Sequence, residues 1–142
     1  MRLLLLLFII PPALVAQQKE FGWLVGTWKE EYRNDSIQGF EIWKIDRGIL
    51  QGEYFQLKHE KKIFASQFKL LSNSQSFFLV TKDNDEKVEE FMITFFNERS
   101  FVGKRSNDNE KILYTKMDEN HFQIQQESER IPTTRLYFTK VK

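Results

Sequence analysis

Cysteine is absent from all 142 residues. Its absence excludes disulfides, thiolate metal sites, a Cys nucleophile and a lipid-modified N-terminal cysteine, so the fold must rest on its core alone. Histidine is nearly as scarce: His59 and His121 are the only two. Both fall at the ends of expected strands in separate hairpins, where a histidine is usually solvated. A zinc site or a Ser-His-Asp arrangement therefore lacks its usual parts, and a haem ligand or general base at one of them is the lesser alternative. Glycine and proline number 6 and 3, and neither a phosphate-cradling Gly-rich loop nor a nucleophile elbow occurs. Charge of one sign is concentrated nowhere. The 21 Lys+Arg and 20 Asp+Glu give a net +1 with the signs interspersed, so neither nucleic acid nor an anionic surface is indicated as partner. "DNDEKVEE" (83–90) carries oxygen ligands but lacks the glycine at position six and the glutamate at position twelve of an EF-hand loop. It reads as a solvated hairpin turn, and no metal or other cofactor is expected.

One apolar run stands out, at the start. In "MRLLLLLFIIPPALVA" (1–16), Arg2 precedes Leu3 to Ile10, then Pro11-Pro12, then small or apolar residues ending at Ala16. A charged start, a short apolar middle and a helix-breaking exit match a secretory signal peptide. The run falls short of the ~20 residues of a spanning helix, although an uncleaved anchor is the alternative, since Leu14 is bulky where cleavage after Ala16 prefers a small residue. The expectation is an exported protein, periplasmic or secreted, with 17–142 as one domain and no stable membrane insertion after cleavage. Asn34-Asp35-Ser36 fits the N-glycosylation sequon, which matters only in a cell with that pathway.

What the chain has in plenty is phenylalanine, 14 residues, with aromatics reaching 15%. These side chains recur in short β-rich segments parted by polar turns: 26–34, 39–46, 49–59, 62–71, 76–83, 88–97, 100–106, 111–117, 121–128 and 134–141. About ten strands at this spacing predict an all-β fold. Period-two alternation places Phe122 and Ile124 on one face of their strand, and Phe64, Ser66, Phe68 and Leu70 on one face of theirs. "FMITFF" is apolar on both faces and predicts a second cover, such as a loop, a partner or the chain's own N-terminus. Only "KEFGWLV" (19–25) has room for a helical turn, and no linker or repeat divides the chain. The uniformly short connections suit hairpins, whereas Greek-key sandwiches need longer crossovers. The reading is an antiparallel up-and-down barrel of 8–10 strands, which leaves no sheet edge exposed.

"FGWLVGTWKEE" (21–31), in which a turn passes into a Gly-x-Trp strand start, resembles the first-strand signature of the calycin group, the lipocalins and fatty-acid-binding-like barrels. With "FEIWK", "LQGEYFQLK" and "KIFASQFKLL", the stretch from Phe21 to about Leu71 is similar to a family of exported bacterial lipocalin-like domains of unassigned function, and the likeness continues loosely to "RLYFTKV". That family often reads Asn-Pro-x-His-Asp-Phe-Pro after the sixth strand. This chain has "NERSFVGK", with Arg99 and Ser100 near the His-Asp place, so no role for that pair carries over. The resemblance implies that Trp28 plugs one barrel end and that a basic residue of the last strand, with Arg135 the candidate, stacks on it. Independently, Gly26 permits a sharp reorientation, Trp28 would bury about 150–250 Å², a cation on its ring adds about 0.5–2 kcal/mol, and Trp23 is expected beneath the turn.

Charges inside aromatic strands are the remaining candidates for function: Glu30, Glu41, Lys44, Glu53 and Arg105. If Trp28 points inward, period two brings Glu30 and Tyr32 with it, while Glu41, Trp43 and Ile45 share a face, as do Glu53, Phe55 and Leu57. A carboxylate inside must be paired, hydrated or protonated. The carboxylates therefore either face outward and pair at the rim, or hold the head group of a ligand. The first hypothesis is a non-enzymatic barrel binding a small hydrophobic or amphipathic molecule through Glu30, Trp43, Glu53, Phe55, Phe68, Phe91, Ile93, Tyr114 and Tyr137. The second is a structural or interaction module whose barrel is filled by its Phe side chains. The third is a small barrel enzyme or haem protein using one His. A void above ~300 Å³ favours the first over the second.

Overall fold

Ten strands follow one another with short connections: β1 Gly26–Glu30, β2 Ile37–Asp46, β3 Ile49–Lys58, β4 Lys61–Ser72, β5 Phe77–Asp83, β6 Val88–Asn97, β7 Ser100–Lys104, β8 Lys111–Lys116, β9 His121–Glu127 and β10 Thr134–Lys140. The computed structural model describes residues 19–32, 34 and 36–142, and the expected leader at 1–16 lies outside them. Each strand pairs antiparallel with the next, and β1 closes onto β10, so the sheet is one closed barrel. Closure satisfies every edge with a partner strand. A short 3-10 turn, Gly22–Leu24, leads into β1. Among the described residues no helix is long and apolar enough to cross a membrane.

The turns set the register. Arg47 and Gly48 join β2 to β3 with φ of 49° and 80°, and His59 and Glu60 join β3 to β4 with φ of 48° and 62°. Two successive left-handed residues make the hairpin turn whose twist matches the strands. At the β6–β7 turn the Asn97 side chain accepts from the Arg99 and Ser100 backbone N–H groups at 2.8 and 2.9 Å, as a short polar side chain in a turn does. One boundary differs from expectation. β1 stops at Glu30 instead of running to 34, and Tyr32 adopts φ +61°, which an extended strand does not hold. Tyr32 is therefore exposed and does not share the inner face with Trp28 and Glu30.

The inner face splits into a filled floor and a partly open upper half. On the floor Phe21, Leu24, Trp28, Trp43, Leu50, Leu70, Leu79, Phe101, Phe122 and Phe138 are each 2% exposed or less. Phe101, Tyr114, Phe122 and Phe138 stack in sequence across β7–β10, with centroids 4.7, 5.9 and 4.7 Å apart. Trp28 meets Phe122 edge-on at 4.8 Å, and its indole N–H donates to the Leu24 carbonyl at 2.7 Å, tying the 3-10 turn to the plug. Trp23 packs edge-on against Phe122 at 6.1 Å, within this floor. Gly26 takes φ +141°, and a Cβ there would lie 2.9 Å from Lys140 Cε. Only glycine meets both demands without strain.

The cation on Trp28 is Lys140, with Nζ 5.0 Å from the ring centroid. Arg135 is a correction to the expectation. Five residues nearer the open end of β10, it is exposed and donates to the Gln125 side chain at 2.9 Å on the outer surface. Register decides the matter, because Lys140 sits directly opposite Trp28 while Arg135 sits opposite Gln125.

The doubly apolar strand β6 is explained by a break in register between Ile93 and Phe95. Phe91 and Ile93 point inward. The extra residue then switches the parity, so that Phe96 joins Phe21 and Phe77 at 5.5 and 5.2 Å. The second cover is thus partly the chain's own N-terminal turn, while Met92 and Phe95 stay exposed.

Candidate functional site

Above the floor the lumen holds a cavity of about 280 Å³ lined by Glu41, Tyr54, Gln56, Phe64, Ser66, Phe68, Thr81, Asp83, Glu89, Phe91, Ile112, Tyr114, Ile124, Gln126 and Leu136. At about 280 Å³ it falls just below the ~300 Å³ that would by itself favour a binding barrel over a filled one, while its lining of aromatic walls with a few converging polar groups is the usual composition of small-molecule sites. Strand pairing places the polar groups. Glu41 lies opposite Tyr54, Tyr54 opposite Ser66, and Ser66 opposite Asp83, so one inward polar row crosses β2, β3, β4 and β5. Facing it across the lumen are Ile112 and Tyr114 of β8, Ile124 and Gln126 of β9 and Leu136 of β10.

The deepest polar groups form a network around two carboxyls. Glu41 is 1% exposed and accepts the Trp43 indole N–H at 2.5 Å and the Tyr114 hydroxyl. Burial pushes the Glu41 carboxyl up to about 8; these two hydrogen bonds oppose the rise, and the charge of Glu30 adds to it. Glu41 is therefore protonated at neutral pH, a neutral acid able to donate as well as accept. Burial likewise pushes the Tyr114 hydroxyl well above its ordinary value, with Glu41 adding to the shift. Glu30, from β1, accepts the Tyr54 hydroxyl at 2.7 Å, and Tyr54 in turn accepts from the Gln56 amide at 2.8 Å. Gly39 makes this possible, since a Cβ there would lie 2.2 Å from a Glu30 carboxyl oxygen and 3.0 Å from the Tyr54 hydroxyl.

Nearer the mouth, Glu89 lines the cavity and is bound by Arg105 and by Lys87, the latter at 2.8 Å. Arg105 is also bound by Asp108 and Glu110, so three carboxylates surround one guanidinium that is 15% exposed. Its guanidinium lies 5.7 Å from the Phe91 ring centroid. The rim charge expected at Arg105 thus pairs with none of Glu30, Glu41 or Glu53.

The sequence-expected contacts divide between inside and outside. Phe68, Phe91 and Tyr114 line the cavity. Glu30 is buried beside it, joined through Tyr54, and Trp43 is buried against Phe68 at 5.5 Å and holds Glu41. Ile93 is buried in the core without lining the cavity. Glu53, Phe55 and Tyr137 are corrections. Glu53 opposes Ile42 and binds Lys62 at 2.6 Å, Phe55 stacks on Phe40 at 5.5 Å, and Tyr137 meets Tyr32 at 5.9 Å, all on the outer surface. The physical reason in β3 is parity: its inward residues are Leu50, Gly52, Tyr54 and Gln56, and "QGEYFQLK" mixes polar and aromatic residues at both parities. Lys44 is likewise exposed and outward, and Ile45 is 42% exposed at the strand end.

Several lining residues were missed. The parity of β4 had already put Phe64 and Ser66 with Phe68, and a polar lining residue could have been read there. Asp83, Glu89 and Gln126 carried no such signal, because each sits near a strand end in a polar sequence. Neither histidine faces the lumen. His59 occupies the β3–β4 turn, and His121 on the outer face lies 2.7 Å from Asp118 through Nδ1. The chain matches no known family model and no curated protein.

Proposed function

We propose that this chain is an exported lipocalin-like barrel that binds a small hydrophobic or amphipathic molecule in its lumen without catalysing a reaction. The observation that carries the reading is the change of lining above a fully packed floor, where a cavity of about 280 Å³ is walled by mixed aromatic and polar side chains with a buried neutral acid at its base. A barrel built only for packing would continue the floor upward. Here the side chains change instead to Ser66, Thr81, Gln126 and carboxyls, which leave space and offer hydrogen bonds. The apolar walls supply the driving force, about 25 cal/mol per Å² removed from water, and the Glu41–Tyr114–Trp43 and Glu30–Tyr54 groups fix orientation. Binding without chemistry is favoured by where the histidines lie, since neither reaches the lumen.

Native mass spectrometry of protein taken from its own cell envelope tests this directly. A co-purified mass that disappears on mild denaturation supports it. The alternative of a filled structural barrel is favoured if the protein is apo in every preparation and small apolar probes leave the fluorescence of Trp43 unchanged.

A further inference from the structure

The cavity is as uneven in charge as it is in polarity. Three acidic side chains line it, Glu41 in its neutral form, Glu89 held by Arg105 and Lys87, and Asp83, and among the described residues no Lys, Arg or His does so. Arg105 and Lys87, the basic residues beside the mouth, are already held, Arg105 by Glu89, Asp108 and Glu110 and Lys87 by Glu89. Ser66 and Asp83 are direct cross-strand partners, both facing inward. Ser66 is 6% exposed, yet among the described residues its hydroxyl makes no hydrogen bond. The Asp83 carboxylate has no hydrogen-bonded or ionic partner among them either. The Ser66 hydroxyl therefore opens onto the cavity with its hydrogen-bonding capacity uncommitted. A carboxylate at the same spot accepts only, so the group that completes the pair must donate hydrogen bonds, and positive charge on it strengthens them. Phe64, Phe68 and Phe91 line the same space and supply apolar surface beside this pair.

We propose that the lumen selects a small protonated amine, its ammonium group held by Ser66 and Asp83 and its apolar body lying against Phe64, Phe68 and Phe91. The inference rests on the reading of the lumen as a binding cavity and adds the charge of the ligand. The size is bounded as well. A cavity of about 280 Å³ takes about nine waters at ~30 Å³ each, hence an amine of about ten non-hydrogen atoms. An anionic head group would meet Asp83 with no cation among the described lining residues to offset it.

Three probes that share a phenylethyl body and differ in the charge of the end group test it: 2-phenylethylamine, 2-phenylethanol and 3-phenylpropionate, titrated calorimetrically into the full-length protein at pH 7. The amine is expected to bind at least tenfold more tightly than the alcohol, with the propionate weakest. Asp83→Asn should bring the amine-to-alcohol ratio to within about twofold of one, and Ser66→Ala should lower it severalfold. Glu53→Gln, on the outer surface, should leave the ratio as it is. If Asp83→Asn does not fold, Ser66→Ala alone decides. Alcohol or propionate binding as tightly as the amine, or a ratio unmoved by the lumen variants, overturns amine selection while leaving a binding barrel intact. Failure of all three probes to bind overturns the binding reading together with it.

Discussion

The floor and the lumen above it are made by the same ten strands in opposite ways. Below, inward positions hold large apolar side chains, with Gly52 leaving room for the Trp43 ring, the rings stack or meet edge-on, and the N-terminal turn completes the seal. Above, inward positions on β2–β5 change to Glu41, Tyr54, Ser66 and Asp83, and the same register that packs rings below lines up polar groups. The floor pins the chain in one state, while the upper lumen keeps volume and unsatisfied hydrogen-bonding capacity. Stability is therefore expected to concentrate in the floor, and pH sensitivity and binding in the lumen.

The sharpest way to break that contrast is to remove the plug. Trp28→Ala deletes a ring that is 1% exposed and its hydrogen bond to Leu24, and should cost about 3–5 kcal/mol of unfolding free energy. Urea denaturation checks this. A loss under about 1 kcal/mol, on the large-to-small scale, would mean that the turn and not the ring closes the barrel.

Glu41 gives the lumen its signature. In the unfolded chain the carboxyl ionises above its ordinary 4.5, whereas in the fold it keeps its proton until about 8. Between those values the folded state holds more protons, so stability falls as pH rises through the window and levels off above it. The contribution is fully present below pH 4.5. Glu41→Gln, which still accepts from Trp43 and Tyr114, should match the wild type at pH 4.5 and exceed it by on the order of a few kcal/mol above pH 8. Urea midpoints at pH 4.5, 6 and 8.5 measure the difference, and parallel curves for the two proteins would remove Glu41 from the account.

A methyl group at Gly39 probes the join between the halves. A Cβ there would lie 2.2 Å from a Glu30 oxygen, so Gly39→Ala must displace Glu30 from Tyr54 and should cost about 1–3 kcal/mol, as overpacking does. If Gly39→Ala is neutral in urea denaturation, the Glu30 carboxyl is free to swing clear of the β2 backbone.

The sequence carried the architecture because hairpin spacing and period two are local signals, and strand ends were placed within a few residues of the structure. Trp28, Phe68, Phe91 and Tyr114 were legible for the same reason: large aromatic residues on clean alternation. Glu53, Phe55 and Tyr137 were misplaced because β3 and β10 carry aromatic and polar residues at both parities. In such strands the inner face is decided by the partner strand, through Glu41 opposite Tyr54 and Phe138 opposite Phe122. Asp83 was hidden because its role depends on Ser66, 17 positions away in the chain and adjacent only after β4 pairs with β5.

The smallest effect bears on the least obvious of these register assignments. Lys140 and Arg135 lie on the same strand, and an odd separation of five residues puts them on opposite faces. Lys140 faces the Trp28 ring at 5.0 Å, and Arg135 lies outside with Gln125. Lys140→Met keeps the length and apolar stem of the side chain, which packs against Gly26, and removes only the charge above the ring. It should cost about 0.5–1 kcal/mol, while Arg135→Met should stay within about 0.5 kcal/mol of wild type, as surface substitutions do. In the double variant with Trp28→Phe the cost of Lys140→Met should shrink, because the smaller ring offers a weaker π face. A larger loss at Arg135 than at Lys140 would reverse the assignment of faces along β10, and with it the pairing that closes the floor.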